Sequence, residues 1–296
     1  MESQSNKTPL IVLVGETASG KSAMAIELAK QFNGEIIAAD SRTVYSGMDV
    51  GTAKPSTVDM QGVEHHLLDV ISPDEPYTVA TFKRQASRAM SQISDRGHIP
   101  FIVGGTGLYV DAVIFDYVFQ GKPNLELRAR LQHMSVEELQ AEITEKGIEM
   151  PTNARNPRHL MRALESEGLK KQDLRLRDDT LVLGLSIDRE LLKQRIAERV
   201  DRMMERGYVE ELRGLVERHG WDAPGLQSPG HKAFRRYFDG ELSFEEAKAA
   251  LVREHISLAK RQRTWFKRNK SIHWLCKKEE AVDLITTFLN KVSTAA

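Results

Sequence analysis

The chain of 296 residues holds a single cysteine, Cys276. That excludes an intramolecular disulfide and a cysteine-based zinc cage, and leaves Cys276 as a semi-buried packing residue near a strand. An excess of charge of one sign is also missing: 42 Lys plus Arg stand against 42 Asp plus Glu, a formal net charge of zero. Global charge therefore gives no argument for nucleic acid, and such a case has to rest on local clustering. No apolar run is much longer than a strand, against the roughly 20 residues that a bilayer-spanning helix needs. The opening MESQSNKTP is polar and carries no apolar core of signal-peptide length. The expectation is a cytoplasmic protein that does not engage membranes, and a monomer, since nothing requires a dimer. What is present is ordinary for a globular protein: 41% hydrophobic and 28% charged residues, in a length that suits one large domain or two modest ones.

Short apolar runs punctuated by glycine set the organisation. Pro9 to Val14 reads as a buried strand that ends at Gly15, and a helical pattern follows through Ala25, Leu28, Ala29 and Phe32. Glu35 to Ala39, Ile99 to Val103 and Leu181 to Ile187 read as further buried strands, with a third short one at Leu67 to Val70 and a last one near Ile272 to Leu275. Thr78 to Ser94 reads as a helix. Fully apolar strands alternating with helices predict an α/β fold with a parallel sheet covered by helices on both faces. The rhythm breaks at 119–178, where Leu125 to Met134, Val136 to Lys146 and Arg158 to Gly168 read as helices. This segment is expected to be a helical insertion domain, with 1–118 and 179–296 forming the core. Beyond Asp188 the chain is mostly helical, over about 190–206, 208–219, 230–239 and 243–268.

Gly15-Glu16-Thr17-Ala18-Ser19-Gly20-Lys21-Ser22 matches G-x-x-x-x-G-K-[ST], with a strand before and a helix after. Glycines let the backbone wrap phosphate oxygens, the helix start adds unpaired N–H groups and its dipole, Lys21 neutralises charge, and Ser22 offers a ligand to Mg²⁺. A P-loop names no reaction. Asp40-Ser41 ends the second strand, and open α/β sheets bind ligands at that rim. A carboxylate there binds Mg²⁺ or takes a proton, but Asp and Ser are also ordinary cap and turn residues, so position alone leaves both roles open. Residues 253–270 carry seven Lys or Arg and one Glu. On a helical wheel Leu251, His255, Leu258, Ala259, Gln262 and Phe266 fall on one side, and Lys260, Arg261, Arg263, Thr264, Lys267 and Arg268 on the other. A basic arc opposite an apolar stripe suits a phosphate backbone. Trp265 lies between the faces and reads as a packing residue.

VGETASGKS, DSRTVYSGMDVGTAKP (Asp40 to Pro55), HHLLDV (His65 to Val70), VGGTGLY (Val103 to Tyr109) and KRQRTWFKR (Lys260 to Arg268) together resemble the tRNA dimethylallyltransferase family. The blocks run from residue 10 to about 275, so the resemblance covers nearly the whole chain. It implies a P-loop NTPase-like core and transfer of a dimethylallyl group from its diphosphate to N6 of the adenosine 3′ of the anticodon. It implies that Gly15, Thr17, Ala18, Ser19, Gly20, Lys21 and Ser22 hold the diphosphate, with Mg²⁺ at Ser22, and that Asp40 is the general base. Lys21 and Arg199, the latter in RIAERVDRM, would stabilise the leaving group, and Thr106 would touch the target nucleotide or cap the next helix. Without the resemblance, Arg199 reads as a solvated helix charge. Asp40, Ser41, Arg42 and Thr43 would line the adenosine pocket, and Arg158 and Arg162 of the insertion would join Lys260, Arg261, Arg263, Lys267 and Arg268 on tRNA. The chain departs from the family pattern at Glu16 (usually Pro), Thr43 (often Gln), Pro157 (Gln or Arg) and His231 (commonly Tyr).

Three other readings compete. A small-molecule P-loop kinase, with ATP in the loop and Asp40 activating a hydroxyl, leaves the basic helix unexplained. An adenylate isopentenyltransferase leaves the insertion and the basic segment without use. An RNA-binding module with a vestigial P-loop conflicts with intact Lys21, Ser22 and Asp40.

Overall fold

The structure, a computed structural model, describes residues 9–119, 124–166, 175–275 and 277–294. Cys276 and the expected helix end at 167–168 lie outside them. The described residues form two compact units, 1–116 with 175–296 and 117–174.

The larger unit is built on one parallel sheet. Its strands are β1 (Leu10–Gly15), β2 (Gly34–Ala38), β3 (His65–His66), β4 (Ile99–Gly104), β5 (Thr180–Leu185) and β6 (Ile272–Leu275), in the order β3-β2-β4-β1-β5-β6. β1 pairs with β4 from Ile11↔Phe101 to Val14↔Gly104 and with β5 from Leu10↔Thr180 to Gly15↔Leu185. Successive side chains of a strand point to opposite faces, and β1 shows both faces covered. Leu10, Val12 and Val14 join one core with Phe82, Ala86 and Ile93, while Ile11 and Leu13 join another with Leu28, Ala29 and Ile285. The first core lies under α3 (Val79–Asp95), and the second under α1 (Lys21–Gln31) and α12 (Lys278–Thr294). Each buried Leu or Ile truncated to Ala there is expected to cost about 2–5 kcal/mol.

The third strand is displaced from its expected place. It occupies His65–His66, paired with Ile36 and Ile37, not Leu67 to Val70. Leu67 (φ 63°) and Asp69 (φ 53°) adopt the left-handed region, which no strand can continue.

In chain order the remaining helices of this unit are the short α2 (Thr57–Met60), α4 (Gly107–Ile114), α8 (Arg189–Glu205), α9 (Tyr208–His219), α10 (Pro229–Phe238) and α11 (Phe244–Phe266). A third core joins α8 to α11 through Met203, Tyr208, Leu212, Phe234 and Leu251. α11 starts with a capping box, Ser243 with Glu246, and carries Glu245 in its first turn, which together close its unpaired N–H groups.

The smaller unit packs α5 (Leu125–Gln132), α6 (Val136–Glu145) and α7 (Pro157–Glu165) around Leu131, Leu139, Ile143, Leu160 and Leu164. Pro157 is the first residue of α7, after the Asn156 cap. Proline lacks only an N–H that would be unpaired at that position, and its fixed φ suits it. The departure at 157 is therefore locally sound.

Candidate active site

The carboxyl ends of β1, β2 and β4 open into a cavity of about 500 Å³, closed on the other side by α8, α10 and α11. β1 feeds the P-loop, in which Ala18 (φ 61°) and Gly20 (φ 92°) turn the backbone through the left-handed region. Gly20 is the N-cap of α1; it supplies no side-chain cap, and the first turn holds no acid. Unlike α11, this helix start offers its N–H groups and dipole to an anion. Lys21 lines the cavity and donates to the Glu16 carbonyl at 3.2 Å. Burial lowers its ammonium to about 8, with Asp40 and Glu16 pulling up and Arg199 pushing further down.

Asp40 lies two residues past the end of β2. Its Oδ1 accepts from the Arg42 N–H at 2.8 Å, and the Ser41 N–H donates to Thr106 Oγ1 at 3.0 Å. The Thr106 N–H donates to the Ala39 carbonyl at 3.2 Å. The ends of β2 and β4 are thus tied together behind Asp40. Thr106 sits at the N-cap of α4 without a side-chain cap bond; its hydroxyl is spent on Ser41. Arg199 of α8 reaches the same cavity. Its Nη2 donates to the Thr52 carbonyl at 2.9 Å, and its buried Nε has no partner. Burial lowers its guanidinium, Asp40 opposes that, and Arg202 adds to it. A buried cation left with an unused donor costs stability, and a bound anion removes that cost.

Lys21, Arg42, Arg199 and Arg261 face the cavity with two carboxylates, Asp40 and Glu254. His255 lines it too and is held neutral, lowered to about 4 by burial and then by Arg199 and His231. The balance is cationic, as a phosphate site requires. Ser22, exposed at the start of α1, and Asp40 share the cavity. A hydroxyl and a carboxylate are the hard oxygen donors that Mg²⁺ takes, so the residues fit the ion.

The family model described as IPP transferase matches residues 43–269, and one described as isopentenyl transferase matches residues 8–76. The chain belongs to the IPP transferase family. It is 40% identical over 294 residues to the tRNA dimethylallyltransferase of Pelotomaculum thermopropionicum, covering 93% of each chain. It is 36% identical over 284 residues to that of Bacillus subtilis, covering 90% of each. Among solved structures, the tRNA isopentenylpyrophosphate transferase of Bacillus halodurans superposes with a TM-score of 0.77 at 35% identity, covering 98% of this chain and 99% of that one. A eukaryotic dimethylallyltransferase acting on tRNA gives 0.76 at 26% identity, covering 91% and 74%.

Within this IPP transferase fold the expected site residues separate. Thr17, Lys21, Ser22, Asp40, Ser41, Arg42, Thr43, Thr106 and Arg199 share the cavity. Arg42 also spends its guanidinium on the Gly225 carbonyl at 3.1 Å. Lys260 and Arg261 are exposed on α11, and Lys267 and Arg268 are exposed just past its carboxyl end; Arg268 stacks 4.1 Å over the Trp265 ring. Arg158 and Arg162 are exposed on α7 of the smaller unit. Arg263 corrects the wheel reading. It points inward and forms a two-armed ion pair with buried Glu16 of the P-loop, because α11 is packed on more than one side. His231, buried in α10 and lowered to about 4 by burial and then Arg42, stacks near Tyr208 at 6.4 Å. It does not line the cavity. Glu254 and Gln262 also line the cavity although no site role was expected of them; burial pushes the Glu254 carboxyl up. Gln262 Oε1 accepts from the Thr17 N–H at 2.7 Å. A Cβ at Gly105 would meet its Nε2 at 2.3 Å, so glycine there gives it room.

Proposed function

We propose that this protein is a tRNA dimethylallyltransferase, moving a dimethylallyl group from dimethylallyl diphosphate to N6 of the adenosine 3′-adjacent to the anticodon and releasing diphosphate. The observation that carries the reading is the position of Asp40: a carboxylate in the same cavity as the open start of α1, Lys21 and the half-satisfied Arg199. The P-loop backbone from Gly15 to Gly20, Lys21, Ser22 and Arg199 take the diphosphate. The target adenine has to leave its stack to enter, with Ser41, Thr43 and Thr106 beside it. The N6 amine attacks C1 of the donor as the C1–O bond breaks. The bond electrons leave with the diphosphate oxygen, and the amine proton passes to Asp40 as the C–N bond forms. The amine is a poor acid, so deprotonation accompanies attack. Most of the rate gain comes from cations preorganised around the leaving oxygen. Mg²⁺ held by Ser22 and the diphosphate would supply further charge neutralisation. Lys260, Arg261, Lys267 and Arg268 take phosphates of the anticodon arm, as do Arg158 and Arg162. We assign the enzyme to the cytoplasm, acting as a monomer; no described helix is long and apolar enough to cross a membrane.

The test is direct. The protein, Mg²⁺, dimethylallyl diphosphate and unmodified tRNA are incubated, and the tRNA is digested and weighed. A dimethylallyl mass gain on one anticodon-loop adenosine is expected. No gain, together with phosphorylation of a small hydroxyl compound from ATP, sinks the reading; gain on free adenylate alone moves the acceptor to the nucleotide.

A further inference from the structure

The P-loop of this chain is held from outside by α11, through two consecutive side chains. Gln262 takes the Thr17 N–H, and Arg263 takes the Glu16 carboxylate with both Nε and Nη2, the latter at 2.9 Å. Arg263 Nη2 also donates to the Ile187 carbonyl at 2.8 Å, just beyond β5. Glu16 is only 3% exposed. Its own carbonyl accepts from the Ser19 N–H at 3.2 Å and from Lys21 Nζ at 3.2 Å. One residue thus anchors the turn by its backbone and the helix by its side chain.

A glutamate is an odd choice for this position. The P-loop pattern leaves residue 16 free, and the turn exists to bind an anion. A buried carboxylate one residue from Gly15 opposes incoming phosphate unless a cation neutralises it. Arg263 does so in the planar two-armed geometry that a guanidinium makes best. The same helix presents Lys260 and Arg261 to solvent, and Lys267, also exposed, caps its carboxyl end.

We propose that Glu16 and Arg263 are a positioning pair: Arg263 cancels the Glu16 charge and locks α11 to the P-loop, so that the diphosphate grip is held in register with the exposed basic face of the same helix. Arg263 is therefore not an RNA-binding residue. The part concerning the basic face rests on the function proposed above; the part concerning the P-loop does not.

The experiment measures binding of Mg²⁺-pyrophosphate by calorimetry, without tRNA, to wild type, R263M, R263K, E16Q and E16Q/R263M, with a thermal melt of each. R263M leaves the carboxylate uncompensated and is expected to weaken pyrophosphate about tenfold, the scale of one unscreened charge at this range. E16Q leaves an arginine still bonded to Ile187 and is expected to change it less than about threefold. E16Q/R263M is expected to recover to within about threefold of wild type, and R263K to keep most of the affinity. Additive losses in the double variant, or a lowered melting temperature with unchanged pyrophosphate affinity, overturn the proposal. If R263M does not fold, the double variant decides: folding with near-wild-type affinity supports the pair, and failure to fold or tenfold weaker binding overturns it. A separate titration of R263M with tRNA at several salt concentrations is expected to match wild type. A salt slope lower by about one returns Arg263 to the RNA face and overturns the proposal. Absence of tRNA prenylation alongside the expected pyrophosphate pattern removes the acceptor assignment and leaves the pair standing.

Discussion

The two ends of the sheet each bury charge, and they treat it in opposite ways. At the amino end, Glu35 is the second residue of β2, with its side chain 4% exposed. Arg96 gives it two hydrogen bonds at 3.1 and 2.6 Å, His66 Nε2 lies 2.6 Å from one oxygen, and His98 Nδ1 lies 2.6 Å from the other. Burial pushes this carboxyl up, and the bonds from Arg96, His66 and His98 outweigh it, bringing it down to about 2. At the carboxyl end, Arg199 keeps a buried Nε without a partner, and Lys21 has a single carbonyl for an ammonium that burial has lowered to about 8. Buried charge that is fully bonded serves the fold; buried charge left wanting partners serves a ligand.

The sharpest way to break this contrast is to remove charge at each end in turn. Asp40→Ala is expected to lower kcat by about 10²- to 10⁴-fold, the range for loss of a positioned base. Donor binding should hardly change, as measured by calorimetry with the diphosphate; unchanged turnover would reject Asp40 as the base. Next come Lys21→Met and Arg199→Met. Each is expected to lower kcat by about 10²- to 10³-fold, as loss of an oxyanion donor does, while the melting temperature holds or rises, since a poorly satisfied buried cation goes with it. Lys21 also sets a pH limit. Its folded value near 8 is below the ordinary 10.5, so the ammonium is lost as pH rises through about 8, and kcat/KM for the donor should fall above that pH. A flat profile to pH 9.5 removes Lys21 charge from donor capture.

Glu35→Ala should do the reverse. A loss of about 2 kcal/mol in stability is expected, because its partners are partly exposed and regain water, with kcat and donor KM near wild type. The linkage has a definite sign. Glu35 is lowered from 4.5 to about 2, so its contribution is full above about 4.5 and is lost as pH falls from there towards 2. Denaturant titrations at pH 6 and pH 3 should show a smaller wild-type advantage over Glu35→Ala at the lower pH. An equal gap at both means that the cluster does not hold the carboxylate charged.

What could be read in advance follows the same line. That the P-loop, Asp40 and Thr106 come to one cavity was legible in their positions, because each is a local pattern at a strand end, where topology itself places ligand sites. The lack of strands after 119 marked a helical segment, and the compact unit that holds α5 to α7 runs over 117–174, not 119–178. Gln262 and Arg263 were not, because a helical wheel assigns directions around an axis and says nothing about what lies there. The partner of Arg263 is 247 residues away in sequence, and only the sheet brings it near. β3 was misplaced by two residues because left-handed Leu67 and Asp69 carry no glycine to mark the turn. Glu16, which no motif explains, becomes intelligible only with Arg263 beside it.

The smallest expected effects lie on the outer face of α11, and they test whether its remaining cations behave as the inward pair does not. Lys260 and Lys267 are exposed and make no ion pair among the described residues. Their charge costs the fold nothing, so Lys260→Gln and Lys267→Gln should leave the melting temperature and pyrophosphate affinity unchanged. If they meet tRNA phosphates, each should weaken tRNA binding a few-fold at moderate salt and lower the slope of log affinity against log salt by up to about one. The effect comes from counterion release, so it shrinks as salt rises. A weakening that persists undiminished at high salt would indicate a shape or base contact in place of a phosphate contact, and no weakening at all would move the RNA path away from this end of α11. Either result separates these lysines from Arg263, whose loss is expected to be felt by the diphosphate and not by the RNA.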